Sequence, residues 1–157
     1  MGLQLPDGQL AVVAAFLGAV FPDGDEDQVT AMGKVPDRHA DRMQALLADG
    51  RAFARAVVST NKGDAITAFD EHFGDPDNAS ANLQSAATGV RVVGLGLLVC
   101  AAIVLAHKAY TLYQYGLTAA ALASAAGTGG TMLPLIREVG RRQLDRTTQA
   151  ATAAVLG

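Results

Sequence analysis

The feature that most restricts the fold of this chain is a long stretch with almost no charge. Residues 78–136 contain two charged side chains, Arg91 and Lys108. Inside that stretch, residues 92–106 are fifteen consecutive uncharged and mostly apolar residues. As a helix this apolar run is about 22 Å long, which is shorter than the roughly 30 Å hydrocarbon core of a bilayer. The run therefore predicts either a membrane helix that is extended at its ends or a helix buried in a bundle or oligomer.

Both alternatives assign contact roles to residues in and after the apolar run. In a bilayer, the tyrosines that follow the run are placed as an interfacial belt, and Arg91 and Lys108 extend toward the head groups. In either setting, small residues allow two helices to approach closely. The residues predicted to contact a membrane or an oligomer partner are Gly94, Gly96, Cys100, Tyr110, Tyr113 and Tyr115.

Charge divides the chain into two parts of opposite sign. Residues 1–77 hold thirteen acidic and six basic side chains, a net charge of −7, whereas residues 78–157 carry +4. This asymmetry favours contact with a membrane or another anionic surface over catalysis. Four arginines near the C-terminus are predicted to meet such a surface, with a solvated helix face as the alternative: Arg137, Arg141, Arg142 and Arg146.

The residue pattern predicts an all-α fold, because alanine is abundant and aromatic residues make up only 5% of the chain. Asp7 is expected to cap a first short helix, and Asp25 a second helix that runs to about residue 58. Asn61 is expected to cap a third helix, with Phe69 and Phe73 on one face. These elements form an antiparallel helical hairpin.

Three segments are expected. Residues 1–77 form an acidic helical-hairpin domain, and residues 78–136 form an apolar helical hairpin that lies in a membrane or an oligomer core. Residues 137–157 form an amphipathic basic helix. The Gly-rich sequence before Pro134 is expected to separate the last two helices.

No motif for catalysis, metal binding or cofactor binding is present in the sequence. His39, His72 and His107 are far apart and do not pair with acids at metal-ligand spacing. The glycine-rich pieces fit neither a phosphate-binding loop nor a dinucleotide-binding fingerprint. Basic residues and aromatic residues are too few for a nucleic-acid module. We therefore predict a protein that is not an enzyme and that has no catalytic residues, metal, cofactor or nucleic-acid partner.

The segment "LPDGQLAVVAAFLGAVFPDGDEDQV" resembles the opening of a family of actinobacterial helical proteins. The resemblance lies in a Leu-Pro start, a short apolar helix, and an aromatic-Pro-x-Gly-Asp-Glu-Asp box. In this chain the box residues that match are Phe21, Pro22, Gly24, Asp25, Glu26 and Asp27.

A second segment, "NKGDAITAF", is similar to the turn and second helix of the WXG helical-hairpin superfamily, whose members are substrates of type VII secretion. Gly63 and Phe69 match that pattern, and Asn61 stands where tryptophan is usual. Phe73 and Asp77 resemble the Tyr-x-x-x-Asp/Glu secretion signal, with phenylalanine in place of tyrosine.

The overall resemblance is closest to the N-terminal helical domain of channel-forming, necrotising-toxin-type proteins. It implies a non-enzymatic module, related to type VII secretion, that self-associates and mediates export, membrane insertion or channel formation. The implied partners are further copies of the chain, the secretion machinery and a lipid membrane. The implied location is a membrane, or the cell exterior after export without a cleaved signal peptide. The alternative is a soluble structural homo-oligomer in the cytoplasm that buries its apolar helices between subunits.

Overall fold

The computed structural model describes residues 2–156, with every side chain in that range except that of Thr128. The described chain is helical and contains no strand, which confirms the predicted all-α fold. A 3₁₀ turn at Ala126–Thr128 precedes the last helix. The α-helices are α1 (Gln9–Leu17), α2 (Glu26–Thr60), α3 (Asp64–Gly74), α4 (Ala79–Ala125) and α5 (Leu133–Leu156).

Glycine, rather than Asp7, defines both ends of α1. Gly8 is the N-cap with a φ of 91°, and no side chain makes a capping hydrogen bond there, so the prediction that Asp7 caps this helix is wrong. Gly18 adopts the left-handed conformation with a φ of 63°, and its N–H donates to the carbonyls of Ala14 and Ala15. This arrangement satisfies carbonyls at the C-terminus and stops the helix after Leu17.

The start of α2 is capped by Asp25, as the sequence predicted. The Asp25 Oδ1 accepts hydrogen bonds from the backbone N–H groups of Asp27 and Gln28, each at 3.1 Å. The negative charge of the aspartate also suits the positive end of the helix dipole. Pro36 lies inside α2, and the helix continues through it to Thr60.

The turn between α2 and α3 differs from its prediction. Asn61 does not cap α3, because Gly63 occupies the N-cap position with a φ of 120° and without a side-chain bond. The Asn61 Nδ2 instead donates to the carbonyl of Val57, 2.9 Å away, and so satisfies the C-terminal end of α2. The side chain therefore completes the preceding helix rather than starting the next one.

Asn78 joins the end of α3 to the start of α4. Its Oδ1 accepts hydrogen bonds from the backbone N–H of Ala81 and the hydroxyl of Ser80, both at 2.8 Å. Its Nδ2 donates to the carbonyl of Phe73. At the other end of α4, Gly129 and Gly130 have φ values of 65° and 81°, which confirms the predicted glycine turn.

The chain divides into two compact units. We call the first the terminal unit, which comprises Met1–Thr30 and Val99–Gly157, and the second the middle unit, Ala31–Leu98. Helices α2 and α4 contribute residues to both units. In the terminal unit, α1, α4 and α5 meet in a small core whose buried members are Val13, Ala14, Leu17, Tyr115 and Leu144.

In the middle unit, α2 packs against the first part of α4 at a pair of glycines. A Cβ atom placed on Gly94 would lie 2.9 Å from the carbonyl oxygen of Gly33, so the two backbones approach as closely as glycine permits. Arg91 pairs with Asp37 and Asp41, and Arg51 donates to Gln84 at 2.6 Å. From one contact to the next, the residue number increases on α2 and decreases on α4, so the two helices run antiparallel.

Candidate functional site

A buried ion pair of the terminal unit lies where α2 begins. The Lys108 Nζ of α4 is 2.7 Å from Oε2 of Glu26 and donates to the carbonyl of Leu3 at 2.8 Å. The N–H of Leu3 donates in turn to Oε1 of Glu26. Lys108 is 3% exposed and Glu26 is 5% exposed. The prediction that Lys108 reaches a membrane interface is therefore wrong, because its ammonium group is paired inside the fold.

This network holds the Glu26 carboxylate ionised. The hydrogen bond from Lys108 and then the bond from the Leu3 N–H lower the pKa of Glu26 from about 4.5 to about 2. Because both carboxylate oxygens and the ammonium group have partners, the charges are compensated despite their burial. The ion pair thus fastens residue 3 to the start of α2 and to α4.

The aromatic-Pro-x-Gly-Asp-Glu-Asp box acts as a structural junction in the terminal unit. Asp25 caps α2, and Glu26 forms the ion pair with Lys108. A Cβ atom on Gly24 would lie 3.3 Å from Val104 Cγ1, so glycine lets the loop before α2 contact α4. Phe21 is half-buried and packs against the core of the unit. Phe21 and Pro22 also line a cavity of about 230 Å³ beside Lys108.

The apolar run of α4, residues 92–106, is largely uncovered. Its five exposed large side chains each leave between 46% and 62% of their surface accessible, and they are Val92, Val93, Leu95, Val99 and Leu105. An 18-residue window within Asp64–Ala125 reaches a mean hydropathy of 2.4, and only 11% of that window is buried. By length and composition alone this helix is apolar enough to cross a membrane.

The six residues predicted to contact a membrane or oligomer partner fall into two groups. Tyr115 is fully buried in the terminal core, and Gly94 is buried against Gly33 in the middle unit. The other four retain accessible surface: Gly96, Cys100, Tyr110 and Tyr113. The rings of Tyr110 and Tyr113 pair at a centroid distance of 6.2 Å.

The hairpin-motif residues lie at the end of the middle unit. Phe69 and Phe73 stack at a centroid distance of 5.8 Å, while no residue of α3 is fully buried. Because α3 ends at Gly74, Phe73 and Asp77 do not share a helix. The backbone N–H of Asp77 donates to Asp75 at 2.8 Å, in a turn before α4.

The arginines of α5 are exposed. Arg142 pairs with Glu138 at 2.7 Å along the helix, while Arg137, Arg141 and Arg146 also lie on the accessible surface. Within residues 2–156, no group of three or more His, Cys, Asp or Glu side chains is arranged to hold a metal ion. The exposed groups of α4 and α5 described above are apolar side chains and arginines.

One comparison with known proteins identifies a family. The family described as "WXG100 like domain" matches residues 4–150, which is nearly the whole chain. The chain belongs to the WXG100-like family. Neither a search of curated proteins nor a search of solved structures returned a match.

Membership places this WXG100-like protein among helical proteins related to type VII secretion, which confirms the resemblance to the WXG superfamily. Members of the family are secreted and typically self-associate, and they are not known as enzymes. The closer relation to channel-forming, toxin-associated actinobacterial proteins stays a prediction.

Sequence reasoning missed the partner of Lys108. A signal was present, because Lys108 interrupts an apolar stretch and a lysine among apolar residues needs a carboxylate. Its partner, however, stands 82 positions earlier in an acidic cluster of four side chains. The positions of these residues in the sequence do not indicate that Glu26, rather than Asp23, Asp25 or Asp27, is the partner of Lys108.

Proposed function

We propose that this WXG100-like protein is a non-enzymatic module exported by a type VII secretion system, and that it self-associates by burying the apolar run of α4. The observation that carries the proposal is the exposure of that run. A core helix of a folded monomer would be mostly covered, whereas 11% of the most apolar window is buried. An uncharged helix surface of this size is unfavourable in water and needs a partner.

The direction of the charged side chains also supports the proposal. Arg91 points toward Asp37 and Asp41, and Lys108 points toward Glu26. Residues 92–106 contain no charged residue, so the exposed side chains of the run are all uncharged. A second apolar surface can cover them without desolvating a charge.

Export is tested in a cell that contains a type VII system. We expect the tagged protein in the culture filtrate of the parent strain and only in the cell pellet of a strain that lacks the secretion ATPase. A cytoplasmic protein serves as the lysis control. Equal amounts in both filtrates, or none in either, would contradict the export part of the proposal, and retention in the cells of both strains would favour a cytoplasmic structural oligomer.

Membrane insertion or channel formation is a second candidate function, favoured by the mean hydropathy of the α4 window. In that case the protein binds vesicles, and the exposed arginines of α5 make binding stronger when the vesicles contain anionic lipid. Co-flotation with phosphatidylcholine vesicles, with and without phosphatidylglycerol, measures both effects. A protein that stays in the aqueous fraction with both vesicle types would exclude this candidate.

A further inference from the structure

A pocket between α1 and α5 in the terminal unit lies outside the apolar run of α4 and away from the buried ion pair of Lys108. Its volume is about 430 Å³, within the range of roughly 300–1,000 Å³ that is usual for ligand sites. It combines apolar and cationic side chains. The residues that line it are Phe16, Leu133, Pro134, Arg137, Glu138 and Arg141.

The two arginines of the pocket have no acidic partner. Arg137 and Arg141 are four positions apart in α5, a spacing that places side chains next to each other on one face of a helix. Neither guanidinium group forms a hydrogen bond or an ion pair within the described residues. Like charges at this spacing repel each other and destabilise the helix, so the binding of an anion by both is favoured.

The acidic side chain that lines the pocket does not neutralise these arginines. Oε1 of Glu138 accepts a hydrogen bond from Nε of Arg142 at 2.7 Å, so its charge is paired with an arginine outside the pocket. Helix α1, on the other side, contains no charged residue. The pocket therefore presents two uncompensated guanidinium groups.

The rest of the pocket wall is apolar. Phe16 of α1 is half-buried and packs against the core of the terminal unit, which holds its ring in place. Leu133 at the start of α5 leaves 38% of its surface accessible, and Pro134 has no backbone N–H to donate to a ligand. Cationic groups next to an apolar wall match an amphiphile that carries an anion.

We infer that this pocket binds the head group of one anionic phospholipid. Arg137 and Arg141 would hold the phosphate, and Phe16 and Leu133 would contact the glycerol and the first acyl carbons. A phosphodiester has two non-bridging oxygens that accept the N–H groups of guanidinium side chains. The inference rests on the second candidate function, membrane insertion, and deepens it, because it names the lipid group and the residues that recognise it.

Other anions fit the pocket less well. Inorganic phosphate would satisfy the two arginines but would leave the apolar wall in contact with water. An acidic peptide would bury polar backbone groups against the side chains of Phe16 and Leu133. A nucleic acid is bound through a longer series of cations, whereas Arg142 is already paired with Glu138.

The test uses the full chain and dihexanoyl-phosphatidylglycerol, kept monomeric below its critical micelle concentration, with binding measured by isothermal titration. We expect the wild type to bind it and Arg137→Gln and Arg141→Gln each to bind at least about tenfold more weakly, because each loses a charge-assisted hydrogen bond. Arg146→Gln is the matched control, since it removes the same charge from exposed α5 outside the pocket. It should bind within about twofold of the wild type. Circular dichroism establishes that each variant is folded.

The ligand can also be varied with the wild-type protein alone. Dihexanoyl-phosphatidylcholine has the same acyl chains and no net charge, whereas glycerol 3-phosphate keeps the anion and lacks the chains. We expect each to bind at least about tenfold more weakly than the phosphatidylglycerol. Equal binding of the phosphatidylcholine would mean that charge is not recognised, and equal binding of glycerol 3-phosphate would assign the pocket to a free phosphate. Either result, or no binding of the phosphatidylglycerol, would overturn the inference, as would an equal loss in Arg146→Gln and Arg137→Gln.

Failure of membrane insertion gives a different result from failure of this inference. Binding of the monomeric lipid through Arg137 and Arg141, by a protein that stays in the aqueous fraction in vesicle flotation, would exclude insertion and support the inference. Flotation with anionic vesicles together with no binding of the monomeric lipid would overturn the inference and leave insertion through α4 supported.

Discussion

The hydroxyl group of Tyr115 is buried in the core of the terminal unit without a hydrogen-bond partner among the described residues. The ring itself is fully buried among Val13, Leu17 and Leu144. An apolar ring in that position contributes to stability, whereas an unpaired hydroxyl opposes it. The ring of Tyr115 therefore stabilises the folded protein, whereas its unpaired hydroxyl group destabilises it.

We predict that Tyr115→Phe raises the free energy of unfolding by about 1 kcal/mol, because it removes the unpaired hydroxyl and keeps the ring. Tyr113→Phe is the control, since Tyr113 is 60% exposed and its change should have little effect. Chemical denaturation of the three proteins gives the comparison. A loss of 1 kcal/mol in Tyr115→Phe would mean that the hydroxyl has a partner in solution.

Glu26 makes the stability of the terminal unit depend on pH in a defined direction. Its pKa in the folded state is about 2, against an ordinary value of about 4.5. A group with a depressed folded pKa contributes its full stability above the unfolded value, and that contribution is lost as the pH falls from about 4.5 to about 2.

We therefore expect the stability difference between the wild type and Glu26→Gln to be constant above about pH 5 and to shrink as the pH approaches 2. Thermal melts in a series of buffers measure the difference. Glu71→Gln removes an exposed carboxylate of α3 and should follow the wild-type curve. A difference between wild type and Glu26→Gln that does not change with pH would contradict the role of the ion pair.

Residue-scale prediction from the sequence succeeded where the determining contact is local. The capping role of Asp25 could be predicted because the backbone N–H groups that donate to its side chain belong to residues only two and three positions later. The burial of Lys108 and Tyr115 does not follow in this way, because it depends on residues far away in the sequence: Glu26 for Lys108, and Val13 and Leu17 for Tyr115. The belt of three tyrosines that the sequence predicted accordingly includes one core residue, Tyr115.

At the scale of helices, the approach of α2 to α4 in the middle unit depends on glycine. Gly33 and Gly94 face each other, and a Cβ atom on either would lie about 3 Å from the backbone carbonyl of the other. Backbone atoms cannot rotate away as a side chain can. The helices must therefore separate if either glycine is replaced.

We predict that Gly94→Ala lowers the free energy of unfolding by about 1–3 kcal/mol, the usual cost of overpacking. The control is Gly50→Ala in α2, where a Cβ atom meets nothing within 4 Å. That substitution should stabilise the protein by up to about 1 kcal/mol, because alanine favours helix over glycine. Chemical denaturation of the wild type and both variants, at the same protein concentration, measures the differences in the free energy of unfolding. If both variants gain stability, the close approach of α2 and α4 is absent in solution.

The helices themselves could largely be predicted from the sequence, since their ends coincide with glycine, proline and aspartate signals. The end of α2, the short α3 and the glycine turn before α5 all follow from local residue types. The caps of α1 and α3 were assigned to Asp7 and Asn61 instead of the neighbouring glycines. Each of these two helices begins after a glycine with positive φ, and helix propensity alone does not distinguish such a glycine from a polar N-cap residue.

At the scale of the whole molecule, the two compact units could not be predicted from charge or hydropathy. The three segments expected from the sequence follow composition, whereas the units follow contacts, and α2 and α4 contribute to both units. The pairing of α1 with α5 in the terminal unit joins residues more than 110 positions apart. Such a contact leaves no periodic signal in a single sequence.

The apolar run of α4 is the feature of the whole molecule that most needs a partner. Its exposed side chains are uncharged, and the charges at its two ends are paired: Lys108 with Glu26 inside the terminal unit, and Arg91 with Asp41 at the surface of the middle unit. We expect a WXG100-like protein with this surface to be associated in aqueous buffer, by the hydrophobic burial described above.

Sedimentation equilibrium in detergent-free buffer, at protein concentrations from about 1 to 100 µM (a range that brackets micromolar affinities), tests self-association most directly. Val99→Glu places a charge in the apolar run, and Val20→Glu places the same charge on the exposed loop before α2. We predict a discrete oligomer for the wild type and Val20→Glu, and a 16.1 kDa monomer for Val99→Glu. A monomeric wild type across the whole range, or a Val99→Glu variant that associates like the wild type, would contradict the claim.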